Sequence, residues 1–300
     1  MTDLISYLQK KGITESEFRA VFERYTQNAE DVKKSKLQRQ FFYSYPFIYL
    51  NGLYYASNPY LLFSLICNAY YWVLRNRFCK LKRSDFISSY GAYFEKYVNE
   101  IMDRCLPSDS FEKIPVSENQ GDKRADWNIH LENYHILVEQ KSTISVLTIK
   151  QSQPDIKEIK KHVIKVWGEA VEQLKNTEEA LRIPNCIKMI LVYDDYFKPE
   201  CLEELFRLRQ DLHNDGRYCL ISIREFEMLM MLYSQDKDAF KIVMNNKIQA
   251  ELTESKESRE FSKFLADCGV NENQYLSHYG IYHGLKPEMQ KLLKENNRGE

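Results

Sequence analysis

Two continuously apolar runs late in the chain, CIKMILVYDD (186–195) and RYCLISI (217–223), set the first limit on the fold. A strand with one wet face alternates apolar and polar side chains, whereas a strand covered on both faces reads as an unbroken apolar run. Between them PECLEELFRLRQDLH (199–213) has helical periodicity. Strands alternating with helices in this way belong to a mixed α/β sheet with helices on both faces.

Upstream the period changes to two. FEKIPVSE (111–118), DWNIHL and YHILVEQKS are read as strands, the last two joined by a two-residue hairpin at Glu132-Asn133. Asp85 is positioned to cap a helix with Phe86, Tyr90, Tyr93/Phe94, Tyr97/Val98 and Ile101 on its apolar side. Pro154-Asp155 opens a long helix to about Leu181, with Ile156, Ile159, Val163, Val166, Ala170 and Leu174 in one stripe. REFEMLMMLY continues as another helix, so the order from Asp85 is α-β-β-β-α-β-α-β-α. The expected organisation is an α-helical N-terminal region (1–84), a central α/β domain (85–232) and an α-helical C-terminal region (233–300).

Composition excludes several classes. At 44% hydrophobic and 28% charged residues the chain has material for a core. A net charge of −1 gives no global pull toward a polyanion, so such a partner must be held by a local patch or by metal ions. Seven cysteines, an odd count without a CxxC pair, suggest neither a zinc site nor a disulfide framework and fit a reducing cytoplasm. The N-terminus MTDLISYLQKKG is not a signal peptide. Phe41 to Leu74 carries no charge, but Pro46, Asn51-Gly52 and Asn58-Pro59 interrupt it. The remaining run YLLFSLICNAYYWVL falls short of the roughly 20 residues of a membrane span and reads as a buried helix. Phosphate-binding glycine loops and nucleophile-elbow patterns are absent.

The chemistry-bearing stretch is LVEQKST (137–143). Glu139 and Lys141 lie two apart; on a helix they would diverge by about 200°, but on a strand they share a face. Asp126 opens the preceding strand, and a tight hairpin brings it beside Glu139. Two carboxylates at one point repel unless a cation lies between them, and hard oxygen ligands favour Mg²⁺ or Mn²⁺. Gln140 points to the opposite face, yet its carbonyl is a candidate neutral ligand. Glu95, flanked by Gly91, Ala92 and Val98 on its helix, is a third acid able to reach the same place.

Glu95 on a helix, Asp126 on a strand and Glu139-Gln140-Lys141 on the next resemble the PD-(D/E)XK, or restriction-endonuclease-like, nuclease superfamily, whose αβββαβ core would cover about residues 85–195. The resemblance implies Asp126 and Glu139 as metal ligands, Lys141 as the catalytic lysine and Glu95 as the acid on the first core helix. Gln173, in GEAVEQLKN, is similar to a glutamine that many members carry on the helix after the lysine strand. Ala125 stands where the superfamily's name has proline.

The activity implied is a Mg²⁺-dependent endonuclease with DNA as the favoured polymer, RNA (for instance tRNA) as the alternative and an inactive nucleic-acid-binding or scaffold module as the rival. Lys123 and Arg124, beside Asp126, and the row Lys157, Lys161 and Lys165 are candidate phosphate contacts, with KKSKLQR (33–39) a further basic patch. The helical additions are similar to those of bacterial anti-phage nucleases, and a cytosolic nuclease without ATP motifs needs restraint, for which a partner subunit or trigger is expected. Cutting two strands implies a homodimer.

Overall fold

The computed structural model describes residues 85–115, 123–143, 156–193, 198–253 and 259–278, with 26–28, 47–56 and a few single positions among the first thirty. The helix expected over YLLFSLICNAYYWVL, the run KKSKLQR and the Pro154-Asp155 helix start lie outside the described residues. The chain divides into two compact units, 1–89 with 146–159 and 90–145 with 160–300.

The first unit contains short strands that the expectation of an α-helical N-terminal region did not include. Strands β1 (Thr26–Asn28), β2 (Phe47–Leu50) and β3 (Leu53–Ala56) form a sheet in that order, β1 parallel and β3 antiparallel to β2. Asn51 and Gly52 both have positive φ (52° and 80°), as a two-residue turn matching the twist of its strands requires. Asn-Gly was therefore a hairpin signal and not merely a break in an apolar run.

The second unit is built on a five-stranded mixed sheet. Its elements include α1 (Asp85–Cys105, from Tyr90 onward), β4 (Phe111–Lys113), β5 (Trp127–Leu131) and β6 (Tyr134–Lys141). A continuous helical run follows, made of α2 (Ile156–His162, from Lys160 onward in this unit), a π-helical turn (Val163–Trp167) and α3 (Gly168–Leu181). Then come β7 (Ile187–Val192), α4 (Glu200–Leu208), β8 (Tyr218–Ser222), α5 (Ile223–Gln235), α6 (Lys237–Leu252) and α7 (Phe261–Asp267). The strand order is β4-β5-β6-β7-β8, antiparallel from β4 to β6 and parallel from β6 to β8.

Alternate strand residues serve the two faces. Trp127, Ile129, Ile136, Val138, Met189 and Ile221 pack against Phe94, Val98, Ile101 and Met102 of α1 and against α5, α6 and α7. The other face takes α3. β7 is buried at all six positions, which explains its unbroken apolar run. Its one charged residue, Lys188, is fully buried but paired with Glu178 at 2.8 Å and with Asp215.

Two local expectations shift. The strand expected over 111–118 is confined to Phe111–Lys113 among the described residues. On the long helix, Trp167 is buried in place of Val166. The π turn inserts extra backbone rotation between Val163 and Ala170, so the apolar stripe changes phase there. Residues beyond 233 share the sheet's core, with Phe240, Val243, Met244, Phe261, Leu265 and Tyr275 all fully buried. Among the described residues no helix is long and apolar enough to cross a membrane.

Candidate active site

Antiparallel pairing of Trp127 with Val138 carries Asp126 to the position opposite Glu139, on the face covered by α3. The strand entry is fixed by backbone bonds: the Asp126 N–H donates to Val138 O at 3.0 Å, and Ile114 N–H donates to Asp126 O at 2.9 Å. The Asp126 carboxylate accepts the Gln140 N–H at 2.8 Å. Lys141 Nζ donates to Glu139 Oε1 at 2.6 Å and to Gln173 Oε1 at 2.9 Å. Asp126, Glu139, Lys141 and Gln173 thus meet, although they come from two strands and a helix.

The support behind this cluster is equally specific. Gln173 Nε2 donates to Arg124 O at 3.1 Å. One turn further along α3, the Thr177 hydroxyl accepts the Ala125 N–H at 2.8 Å and donates to Gln173 O at 2.7 Å. Proline at position 125 would have no N–H to give. Ala125, standing where the resemblance led proline to be expected, supplies that N–H. Thr177 was not singled out in the sequence; its only signal was the i, i+4 spacing from Gln173 that puts both on one helix face.

Glu139 is 3% exposed, and its Oε2 is buried without a hydrogen-bond partner. Burial, and secondly the Asp126 charge, push the Glu139 carboxyl up to about 8 against the pull of Lys141. Asp126 is also raised, chiefly by burial and further by Glu95, while the Gln140 N–H and Lys141 oppose the shift. Two facing carboxyls with raised proton affinity and one orphaned oxygen form a site short of positive charge. A divalent cation fits that deficit, and the all-oxygen donors suit Mg²⁺ or Mn²⁺. Among the described residues no group of three His, Cys, Asp or Glu side chains is arranged to hold a metal.

The remaining candidates are less closely tied to this centre. Glu95 acts on Asp126 electrostatically, but its carboxylate is ion-paired with Lys113 of the edge strand β4. A Cβ on Gly91 would meet Ser142 Oγ at an ordinary 3.7 Å, so the approach of α1 does not demand glycine. The Gln140 side chain lies on the opposite face, as expected, and accepts from Trp127 Nε1 at 3.4 Å. Lys123 is exposed and Arg124 half-buried, each held through its backbone carbonyl by α3, from Asn176 and Gln173 respectively. Lys157, Lys161 and Lys165 are exposed.

No protein-family model matches the chain, and no curated protein matches its sequence. Among solved structures, the small subunit of the heterodimeric restriction endonuclease R.BspD6I aligns with a TM-score of 0.36 at 11% identity, over 62% of this chain and 96% of that one.

Proposed function

We propose that the chain is a metal-dependent nuclease of the PD-(D/E)XK type, hydrolysing phosphodiester bonds at Asp126, Glu139 and Lys141. The observation that carries this reading is the orphaned, buried Glu139 Oε2 beside Asp126, within a cluster that also holds an ammonium group. A surface ion pair would leave Glu139 solvated; here it is almost fully enclosed. The order α1-β4-β5-β6-α3-β7 also supports an αβββαβ core around the site.

Asp126 and Glu139 would hold Mg²⁺ or Mn²⁺, with the Gln140 carbonyl as a neutral donor. When bound, the ion supplies a polarised phosphoryl oxygen and a water acidic enough to attack near neutral pH. The chain does the positioning. The Gln140 N–H keeps the Asp126 carboxylate turned toward Glu139. Lys141, braced by Gln173, presents its ammonium group to the charge that develops on the phosphate. Glu95, next in electrostatic reach, assists by adding negative charge that strengthens cation binding. Lys123 and Arg124 adjoin Asp126 and would take flanking phosphates, with Lys157, Lys161 and Lys165 further out. DNA as the favoured polymer, a partner subunit or trigger, and a role in anti-phage defence belong to the same proposal.

The test offers single- and double-stranded DNA and RNA to the wild type, Glu139→Ala and Lys141→Ala, with Mg²⁺, Mn²⁺ or chelator. Cleavage that needs the ion and both side chains supports the reading, and the preferred polymer separates DNA from RNA. A wild type inert on every polymer with every ion, alone and with candidate partners, favours a binding or scaffold module instead.

A further inference from the structure

A second feature lies on the same edge of the sheet as the acid–lysine cluster. A cavity of about 270 Å³ opens at the carboxyl ends of β7 and β8, walled by Val192, Leu220, Met228 and Val270, with Arg224 and Asn271 among its polar groups. Crevices at the carboxyl ends of parallel strands are where open α/β sheets accept ligands. Val192 is the register partner of Lys141, so their side chains share a face about 5 Å apart. Ser222, also in the lining, is the partner of Val192 on the next strand.

The cavity's charges balance one another. Lys198 pairs with Glu260 at 2.9 Å, and the Glu225 carboxylate accepts N–H groups from Ser222 at 2.9 Å and Ser262 at 2.8 Å. Two basic and two acidic side chains in one lining do not suit a phosphate. Apolar walls with hydroxyl, amide and guanidinium groups suit a flat heteroaromatic ring with donors and acceptors on its edge. The volume is just below the range of roughly 300–1,000 Å³ that takes drug-sized ligands, so one base is the right scale.

We infer that this cavity receives a single unstacked nucleobase of the strand held at Lys141, so that the substrate is single-stranded or has one base extruded beside the scissile phosphate. This rests on the nuclease reading above. Extruding a base costs least where the strand is already unpaired, which makes such a cavity a device for choosing looped, mismatched or single-stranded sites.

The test reads base insertion without cleavage. Full-length protein in chelator is titrated with single-stranded oligonucleotides carrying 2-aminopurine at one position at a time. A fluorescence change confined to one position, weakened at least about tenfold by Val270→Trp, is the expected result. Asn271→Ala at the exposed rim serves as the second variant if the tryptophan variant does not fold, with the same loss expected. Protein that cleaves normally, while fluorescence at every position is indifferent to both changes, overturns the cavity and leaves the nuclease standing. If no polymer is cut but one position still reports insertion, the cavity stands and the nuclease reading falls.

Discussion

The Ala125 N–H is held by the Thr177 hydroxyl at 2.8 Å across 52 positions of sequence, and this bond seats α3 on the strand that delivers Asp126. Both residues are buried, Thr177 completely. Thr177→Val keeps the shape and removes the acceptor, leaving a buried N–H unpaired at a cost of about 1–3 kcal/mol. The expected outcome is a lower urea midpoint at an unchanged slope, with Mg²⁺-dependent cleavage reduced because Asp126 and Gln173 lose their common support. Equal stability of variant and wild type would show that the bond does not seat the helix.

Lys141 and Gln173 should separate by readout. Lys141→Met removes the ammonium nearest the carboxylate pair and should lower the cleavage rate by roughly 10²–10³, the range found for removing one preorganised electrostatic group. Gln173→Leu leaves Lys141 in place but unbraced, so a smaller loss, with the pH profile unmoved, is expected from a positioning role. Single-turnover rates at saturating Mg²⁺ make the comparison; a larger loss for Gln173→Leu than for Lys141→Met would reverse the roles.

What could be read in advance follows from how local each signal is. That Glu139 and Lys141 share one face of a strand was legible because side-chain alternation along a strand is a property of the strand itself. The buried run of β7 was legible because cover on both faces dictates its composition. The Ala125–Thr177 bond was not, since it depends on where a helix settles over a strand entry far away in sequence. The change of phase at Val163–Trp167 hinges on one inserted residue's worth of rotation, which no periodicity count resolves. The β2–β3 hairpin did carry a local signal in Asn51-Gly52, but the surrounding apolar composition outweighed it.

The C-terminal helices offer a stability test. Phe240 of α6 is fully buried and packs edge-on against Tyr134 of β6 and Tyr233 of α5. Phe240→Ala should cost about 3–5 kcal/mol, as large-to-small changes in a closed core do. A single unfolding transition, shifted as a whole, is expected in both thermal and urea melts. A separate early transition with the rest of the protein unaffected would mean that 233–300 folds apart from the sheet.

Stability in chelator should fall as pH rises, because the Glu139 carboxyl is raised from about 4.5 to about 8 in the folded protein. A raised folded value means that the native state binds the proton more tightly than the unfolded chain does. The stabilisation is complete below about 4.5 and is lost as pH climbs through about 8, and Asp126, raised in the same direction, adds to the slope. The loss should be on the order of a few kcal/mol. Glu139→Gln removes the titrating group while keeping an acceptor for Lys141, so its melting temperature should vary less with pH and exceed that of the wild type near pH 8. Adding Mg²⁺ at that pH should raise the wild-type melting temperature by mass action and leave the variant almost unchanged. Parallel pH curves for the two proteins, or an equal response to Mg²⁺, would mean that Glu139 neither holds the proton nor binds the cation.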